Sequence, residues 1–154
     1  MFLYRVVDSL DKAGVPYAIV GGYALVLHGV VRGTVDIDLI LALSEKNFLG
    51  AEKAFKSVGL VSRLPLSAKE VFHFREEYIK KRNLVAWSFH NLKDPLEIVD
   101  VILTQDLKGT KSVKVRAGER TLNVLCVQDL IAMKKRSGRP QDLDDIRALE
   151  RVKK

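Results

Sequence analysis

The sequence predicts an α+β fold in which a mixed central sheet is flanked by helices. Short apolar runs bounded by glycine or proline indicate strands, and apolar residues at three- and four-residue spacing indicate helices around them. With 154 residues, of which 47% are hydrophobic and 29% charged, the chain is too apolar for a disordered segment and has the length of one domain. We expect one domain over 1–154, with helices over 127–153 packed on it.

The elements follow from local signals along the chain. Gly14 ends a first amphipathic helix, and Ser44 is a favourable N-cap for a later one. Gly138 and Pro140 divide the C-terminal helical region into a pair. Residues 67–82 are ambiguous between a short helix and irregular structure. The expected helices are 2–13, 23–28, 45–57 and the pair within 127–153, and the expected strands are 17–20, 34–43, 58–63, 84–90, 96–103, 113–115 and 121–126.

Charge and cysteine content exclude several classes of protein. The formal net charge of +7 permits a nucleotide or nucleic-acid partner without requiring one. Cys126 is the single cysteine, so neither an intramolecular disulfide nor a paired-cysteine zinc site is available. The longest apolar stretch, 17–31, is interrupted by His28 and three glycines and is shorter than a membrane span. We expect a cytoplasmic protein without a membrane partner.

A glycine pair, Gly21-Gly22, lies between an apolar strand and a helix. Glycines let a ligand approach the backbone closely, and a helix beginning there directs unpaired N–H groups and the positive end of its dipole at that ligand. Phosphate suits such a position. The pair matches neither GxGxxG nor the P-loop pattern, and on its own a tight turn explains it equally well.

Three aspartates lie among strongly apolar strand residues. Asp36 and Asp38 fall on one strand face roughly 7 Å apart, opposite a face formed by Val35 and the apolar residues that alternate with it. Hard carboxylate oxygens suit Mg²⁺, and adjacent acids repel unless a cation lies between them. Asp100, in a later apolar strand, requires a cation, a basic partner or exposure to water. Three such acids can hold two ions for phosphoryl chemistry, and solvent-facing aspartates are the alternative.

These residues carry a resemblance to a known family. Residues 20–39, VGGYALVLHGVVRGTVDIDL, resemble the signature of the DNA polymerase beta-type nucleotidyltransferase superfamily, and Asp100 matches its third acid. Within that superfamily the chain is most similar to small bacterial enzymes of the antibiotic nucleotidyltransferase and abortive-infection toxin type, whose later segment resembles 127–147. The resemblance implies a nucleotidyltransferase fold with a C-terminal helical pair.

The resemblance also implies roles for individual residues. Gly21 and Gly22 would contact a nucleoside triphosphate, ATP among the candidates, and Asp36 and Asp38 would coordinate metal and phosphate. Asp100 would bind the metal nearest the acceptor hydroxyl and help to remove its proton. The other matching positions are Arg32 and Thr34, which would line the same pocket, Lys134, which would contact phosphate or acceptor, and Arg139, Asp142 and Asp145, whose roles are open. Two residues of that last group, Asp142 and Asp145, are slightly better explained as a solvated surface or as ion-pair partners of Arg139.

The expected function is transfer of a nucleoside monophosphate from an NTP to an acceptor hydroxyl, with two Mg²⁺ ions and release of pyrophosphate. The acceptor could be a small molecule, a tRNA or a protein. Antibiotic-modifying members usually extend further, so we expect an acceptor surface that is small, shared in a homodimer or filled by a macromolecule. The basic segments 80–82 and 134–136 motivate a rival hypothesis, a non-catalytic nucleotide- or RNA-binding module of a toxin–antitoxin pair with a cognate antitoxin. A structural protein with acidic strands is a third.

Overall fold

The computed structural model describes residues 1–152, which form seven helices and one seven-stranded sheet. The helices are α1 (Phe2–Ala13), α2 (Gly21–Leu27), α3 (Glu45–Ser57), α4 (Ala68–His73), α5 (Arg75–Arg82), α6 (Val127–Ser137) and α7 (Pro140–Val152). The strands are β1 (Tyr17–Val20), β2 (Ile37–Leu41), β3 (Val61–Ser62), β4 (Ala86–Asn91), β5 (Asp94–Ile102), β6 (Ser112–Ala117) and β7 (Arg120–Leu125).

The sheet is mixed, in the order β3-β4-β5-β2-β1-β7-β6. Strands β2 and β5 run parallel, as do β1 and β7, while the other neighbours are antiparallel. Strand β1 is buried at all four positions, as expected for a central strand covered on both faces. The predicted α+β class with a mixed sheet flanked by helices is therefore confirmed.

An aromatic cluster between α3 and β4 packs one face of the sheet. Trp87 stacks on Phe48 with ring centroids 5.6 Å apart, and Phe89 meets Phe55 edge to face at 4.8 Å. All four side chains are fully buried. Trp87 and Phe89 alternate along β4 and both pack in the core, so Ser88 between them must point to the opposite face of the sheet.

Most element boundaries agree with the sequence, and the exceptions have local causes. The strand expected at 34–43 is shorter, so the placement of Val35 on the buried face was wrong and its side chain is 52% exposed. Helix α2 begins at Gly21 rather than at residue 23. The ambiguous 67–82 segment is two short helices, the first opened by a capping box between Ser67 and Glu70. The helical pair is observed to Val152; residues 153–154, expected to be helical, lie outside the described residues.

Across residues 1–152, every helix is too short or too polar to cross a lipid bilayer. The expectation of one domain over the whole chain stays a prediction.

Candidate nucleotide-binding and catalytic site

The register of three neighbouring strands places polar side chains in a row on the face opposite the aromatic cluster. The parallel pairing of β2 with β5 puts Asp38 beside Asp100, and the antiparallel pairing of β4 with β5 puts Ser88 on the other side of Asp100. The Ser88 hydroxyl donates a hydrogen bond of 2.5 Å to Oδ1 of Asp100. Two aspartates from separate segments of the chain thus lie side by side at the centre of the sheet.

The proximity of these acids shifts their pKa values. Burial, the charges of Asp100 and Asp36 and a hydrogen bond with Asp100 together raise the pKa of Asp38 from an ordinary 3.8 to about 7, with burial the largest cause and the charge of Lys134 opposing them. Burial also raises the pKa of Asp36, as does the charge of Asp100, while Arg63 acts in the opposite direction. The three carboxyl groups therefore share one region, where a divalent cation would relieve their repulsion.

The acids do not form a complete metal cage. In the part of the chain that the structure describes, no set of three or more His, Cys, Asp or Glu side chains is placed to hold a metal ion. Asp36 lies just before β2, not on the strand beside Asp38 as expected. Mg²⁺ is commonly held by one or two carboxylates together with water and substrate phosphates. The all-oxygen donor set of Asp38 and Asp100 fits a Mg²⁺ ion that arrives with a nucleotide; binding of two ions stays a prediction.

The glycine pair is required by close packing: Gly21 lies against Asp38, which with Asp100 forms the acidic row, and Gly22 lies against Thr34. Gly21 has a positive φ of 68°, and a Cβ there would collide with the Asp38 carboxylate. A Cβ on Gly22 would lie 2.5 Å from Oγ1 of Thr34. Since α2 has only seven residues, its dipole adds little, and the pair matters because it brings backbone against Asp38. A tight turn alone does not explain both glycines.

The basic residues of the resemblance meet in an ion-pair network beside the acids. Oδ2 of Asp145 binds both Nη1 of Arg32, at 2.6 Å, and Nζ of Lys134, at 2.8 Å. Lys134 is also 3.4 Å from Oδ1 of Asp142, and its charge lowers the pKa of Asp38. Arg32, Thr34 and Lys134 therefore border the same region as Asp38. Their contact with a nucleotide stays a prediction.

Asp142 and Asp145 are buried, with relative exposures of 1% and 7%. Their interpretation as a solvated surface was wrong, whereas the ion-pair alternative is confirmed for Asp142, which accepts from the backbone N–H and the side chain of Arg139. Burial alone would raise the pKa of Asp142, but hydrogen bonds from Arg139 and Ser137 and the charge of Lys134 hold it well below its usual range.

Sequence reasoning missed two residues of the site. Ser88 could have been found, because it alternates with Trp87 and Phe89 and must face away from the core with Asp100. Arg63 follows the two-residue strand β3, and its backbone N–H donates to the Ser88 carbonyl at 2.9 Å. A strand of two residues leaves no periodic signal, so the approach of Arg63 to Asp36 could be seen only in three dimensions.

The fold that carries this site is the nucleotidyltransferase fold, as the resemblance implied. Among solved structures, the antibiotic-resistance factor ANT(2'')-Ia superimposes with a TM-score of 0.66 at 12% identity, covering 99% of this chain and 85% of that one. The same enzyme in complex with adenylyl-2''-tobramycin gives 0.60 at 13% identity, with 98% and 90% covered. The lincosamide antibiotic adenylyltransferase LnuA, with lincomycin bound, gives 0.64 at 13% identity, with 98% and 96% covered.

No protein-family model matches the chain, and no curated protein matches it. At these identities the structural likeness establishes the fold, and the chemistry has to be argued from the residues of the site.

Proposed function

We propose that this protein is a metal-dependent nucleotidyltransferase that moves a nucleoside monophosphate from an NTP to an acceptor hydroxyl and releases pyrophosphate. The observation that carries the proposal is the pairing of Asp38 with Asp100 on parallel strands directly against Gly21. Two partly buried acids in contact repel each other in the isolated protein, and a cation that binds with the nucleotide would remove this repulsion. In this proposal residues 1–154 act as one domain.

The chemistry is an in-line displacement at the α-phosphorus. The acceptor oxygen forms a bond to phosphorus, the bond to the leaving pyrophosphate oxygen breaks, and the hydroxyl proton passes to the Asp100 carboxylate. Ser88 holds Oδ1 of Asp100, which fixes the orientation of the carboxylate during proton transfer. When bound, Mg²⁺ would stabilise the charge on the phosphate oxygens, with Asp38 and Asp100 as ligands and Asp36 beside them.

The remaining site residues bind and orient the nucleotide. Gly21 and Gly22 let the triphosphate approach the backbone, and Thr34, packed on Gly22, closes the other side of that approach. Arg32 and Lys134 supply positive charge facing the phosphates. Positioning and charge stabilisation of this kind contribute most of the rate in phosphoryl transfer, since little covalent help is needed.

For the acceptor we propose a small molecule with a free hydroxyl and for the donor ATP. The support is that ANT(2'')-Ia is seen with adenylyl-2''-tobramycin and LnuA, an adenylyltransferase, with lincomycin, and that this chain matches nearly their full length. The labelling experiment below distinguishes a small-molecule acceptor from a tRNA end or a protein hydroxyl. A cytoplasmic location, a homodimer and a cognate antitoxin stay predictions from the sequence.

The test is transfer of label from each of the four NTPs, labelled at the α-phosphate, to a panel of hydroxylated antibiotics and to the small-molecule, RNA and protein fractions of a cell extract. We expect Mg²⁺-dependent transfer and equimolar pyrophosphate. Asp38→Asn and Asp100→Asn should each lower the rate at least about 100-fold, which is about 2.7 kcal/mol of transition-state stabilisation. The matched control is Asp144→Asn, an exposed aspartate of α7.

Equal rates in the two site variants and the wild type would refute the proposal. Tight RNA binding without pyrophosphate release would favour the non-catalytic module instead, and would be recognised by its steep dependence on salt concentration.

A further inference from the structure

One carboxylate oxygen joins three parts of the chain that are distant in sequence. Oδ2 of Asp145, on α7, lies 2.6 Å from Nη1 of Arg32 and 2.8 Å from Nζ of Lys134 on α6. Arg32 belongs to the segment 30–36, which has neither helix nor strand and also carries Thr34 and Asp36. Asp145 therefore ties the irregular segment leading into the acidic row to the C-terminal helices.

The contacts are protected from water. The side-chain exposures are 10% for Asp145, 12% for Lys134 and 24% for Arg32. Charged groups this deeply placed hold their geometry better than surface pairs, because losing one partner leaves an unpaired buried charge. Such an arrangement can fix the positions of two cations that would otherwise repel each other.

The network is not neutral within itself. Three basic side chains, Arg32, Lys134 and Arg139, face two acidic ones, Asp142 and Asp145, so one positive charge is left over. The charges of Lys134 and Arg139 reach Asp38 across the site. An anion entering beside Asp38 would meet this surplus positive charge on one side and the glycine pair on the other.

We propose that Asp145 is a positioning residue, which holds Arg32 and Lys134 together so that both cations face the triphosphate of the bound NTP. This inference rests on the proposed function and assigns Asp145 a role that acts through the two basic residues. A second consequence follows from the same contact: by anchoring Arg32, Asp145 also keeps Thr34 against Gly22.

The alternative is that Asp145 only stabilises the packing of α7. The two cases differ in nucleotide affinity measured on folded protein. If Asp145 acts through its cations, Asp145→Asn weakens binding of Mg²⁺·ATP, whereas Asp145→Glu, which can still pair with both, restores most of it. If the role is structural, Asp145→Asn lowers the melting temperature and leaves affinity unchanged at temperatures where the protein is fully folded.

The experiment is a thermodynamic cycle on the dissociation constant of Mg²⁺·ATP, measured by titration calorimetry with folding checked by circular dichroism. The variants are Asp145→Asn, the pair Arg32→Gln with Lys134→Gln, and the triple combination, which leaves no unpaired charge among the three. We expect Asp145→Asn to raise the dissociation constant at least tenfold, the pair to raise it at least as much, and the triple variant to match the pair.

Asp142→Asn is the matched comparison, because Asp142 lies on the same helix and is also buried. Asp145 binds both Arg32 and Lys134, whereas of these two residues Asp142 contacts only Lys134, at 3.4 Å. It should raise the dissociation constant less than Asp145→Asn does. Unchanged affinity in folded Asp145→Asn, or additive losses in the triple variant, would overturn the inference while leaving the proposed function standing. If wild-type protein bound no Mg²⁺·ATP, the proposed function would fail first, and this inference with it.

Discussion

Replacing Asp38 by asparagine should make the metal-free protein more stable and the enzyme inactive. Asp38 is partly buried, and burial together with two neighbouring acids raises its pKa from 3.8 to about 7. Asparagine has nearly the same shape and carries an N–H that can donate to Asp100. The substitution therefore removes an unfavourable charge without opening a cavity.

The magnitude follows from linkage between protonation and folding. Well below pH 3.8 the carboxyl is protonated in both folded and unfolded chains, and its effect on stability vanishes. As pH rises from there to about 7, the unfolded chain loses its proton first, so the free energy of unfolding falls with pH. The full difference corresponds to about 4 kcal/mol. Relaxation and water penetration reduce such penalties, and we expect about 2 kcal/mol, or about 4–8 °C in melting temperature.

The assay is urea denaturation of wild type and Asp38→Asn in EDTA at pH 4.5 and pH 8, with Asp144→Asn as control. The Asp38→Asn variant should gain stability over wild type at pH 8 and much less at pH 4.5. Saturating Mg²⁺·ATP should reverse the order, because a ligand at 100 times its dissociation constant adds about 2.7 kcal/mol to the protein that binds it. A variant no more stable than wild type at pH 8 in EDTA would refute this account of Asp38.

Three further predictions concern neighbouring residues. Gly21→Ala should lower stability by more than about 1 kcal/mol and weaken Mg²⁺·ATP binding, since its Cβ collides with Asp38 at a positive φ; melting and calorimetry measure both, and an unchanged affinity would contradict it. Ser88→Ala should lower kcat by about 10- to 100-fold with KM little changed, because a hydrogen bond to a charged group is worth about 1.5–3 kcal/mol; a change confined to KM would count against it. Asp142→Asn should destabilise the protein near neutral pH, and this loss of stability should shrink as pH falls through the lowered pKa of Asp142. Acid denaturation of the wild type and the variant measures it. A loss equal at all pH values would indicate a packing defect instead.

The central part of the site could be predicted from sequence because its residues break local rules. Aspartates within strongly apolar strands need an explanation, and the 38 and 100 positions are side by side in the parallel pair. The glycine pair was equally visible, although its packing against Asp38 and Thr34 was not. The place of Asp36 was misjudged because the strand begins at Ile37, three residues later than expected, and a boundary is the least certain part of any periodic pattern.

The ion-pair network could not be predicted for a different reason. Asp145 reads as one of several polar residues on an amphipathic helix, and its burial depends on Arg32, which is 113 positions away in the chain. Periodicity predicts which face of a helix is apolar, but it does not predict which distant charged residue contacts the polar face. The same holds for Arg63, whose electrostatic effect on Asp36 depends on the position of β3 beside β4 in the sheet.

Stability and function depend on opposite faces of the sheet. The aromatic cluster of α3 and β4 is fully buried and contributes stability without touching the site. The acidic row on the opposite face lowers the stability of the isolated protein, because burial and two neighbouring acids disfavour the negative charge on Asp38. A site of this kind is stabilised by what it binds, so nucleotide and metal should raise the melting temperature together more than the sum of either alone. If Mg²⁺ and ATP raised the melting temperature only additively, the acids would not bind the same ligand as the basic residues of α6 and the 30–36 segment.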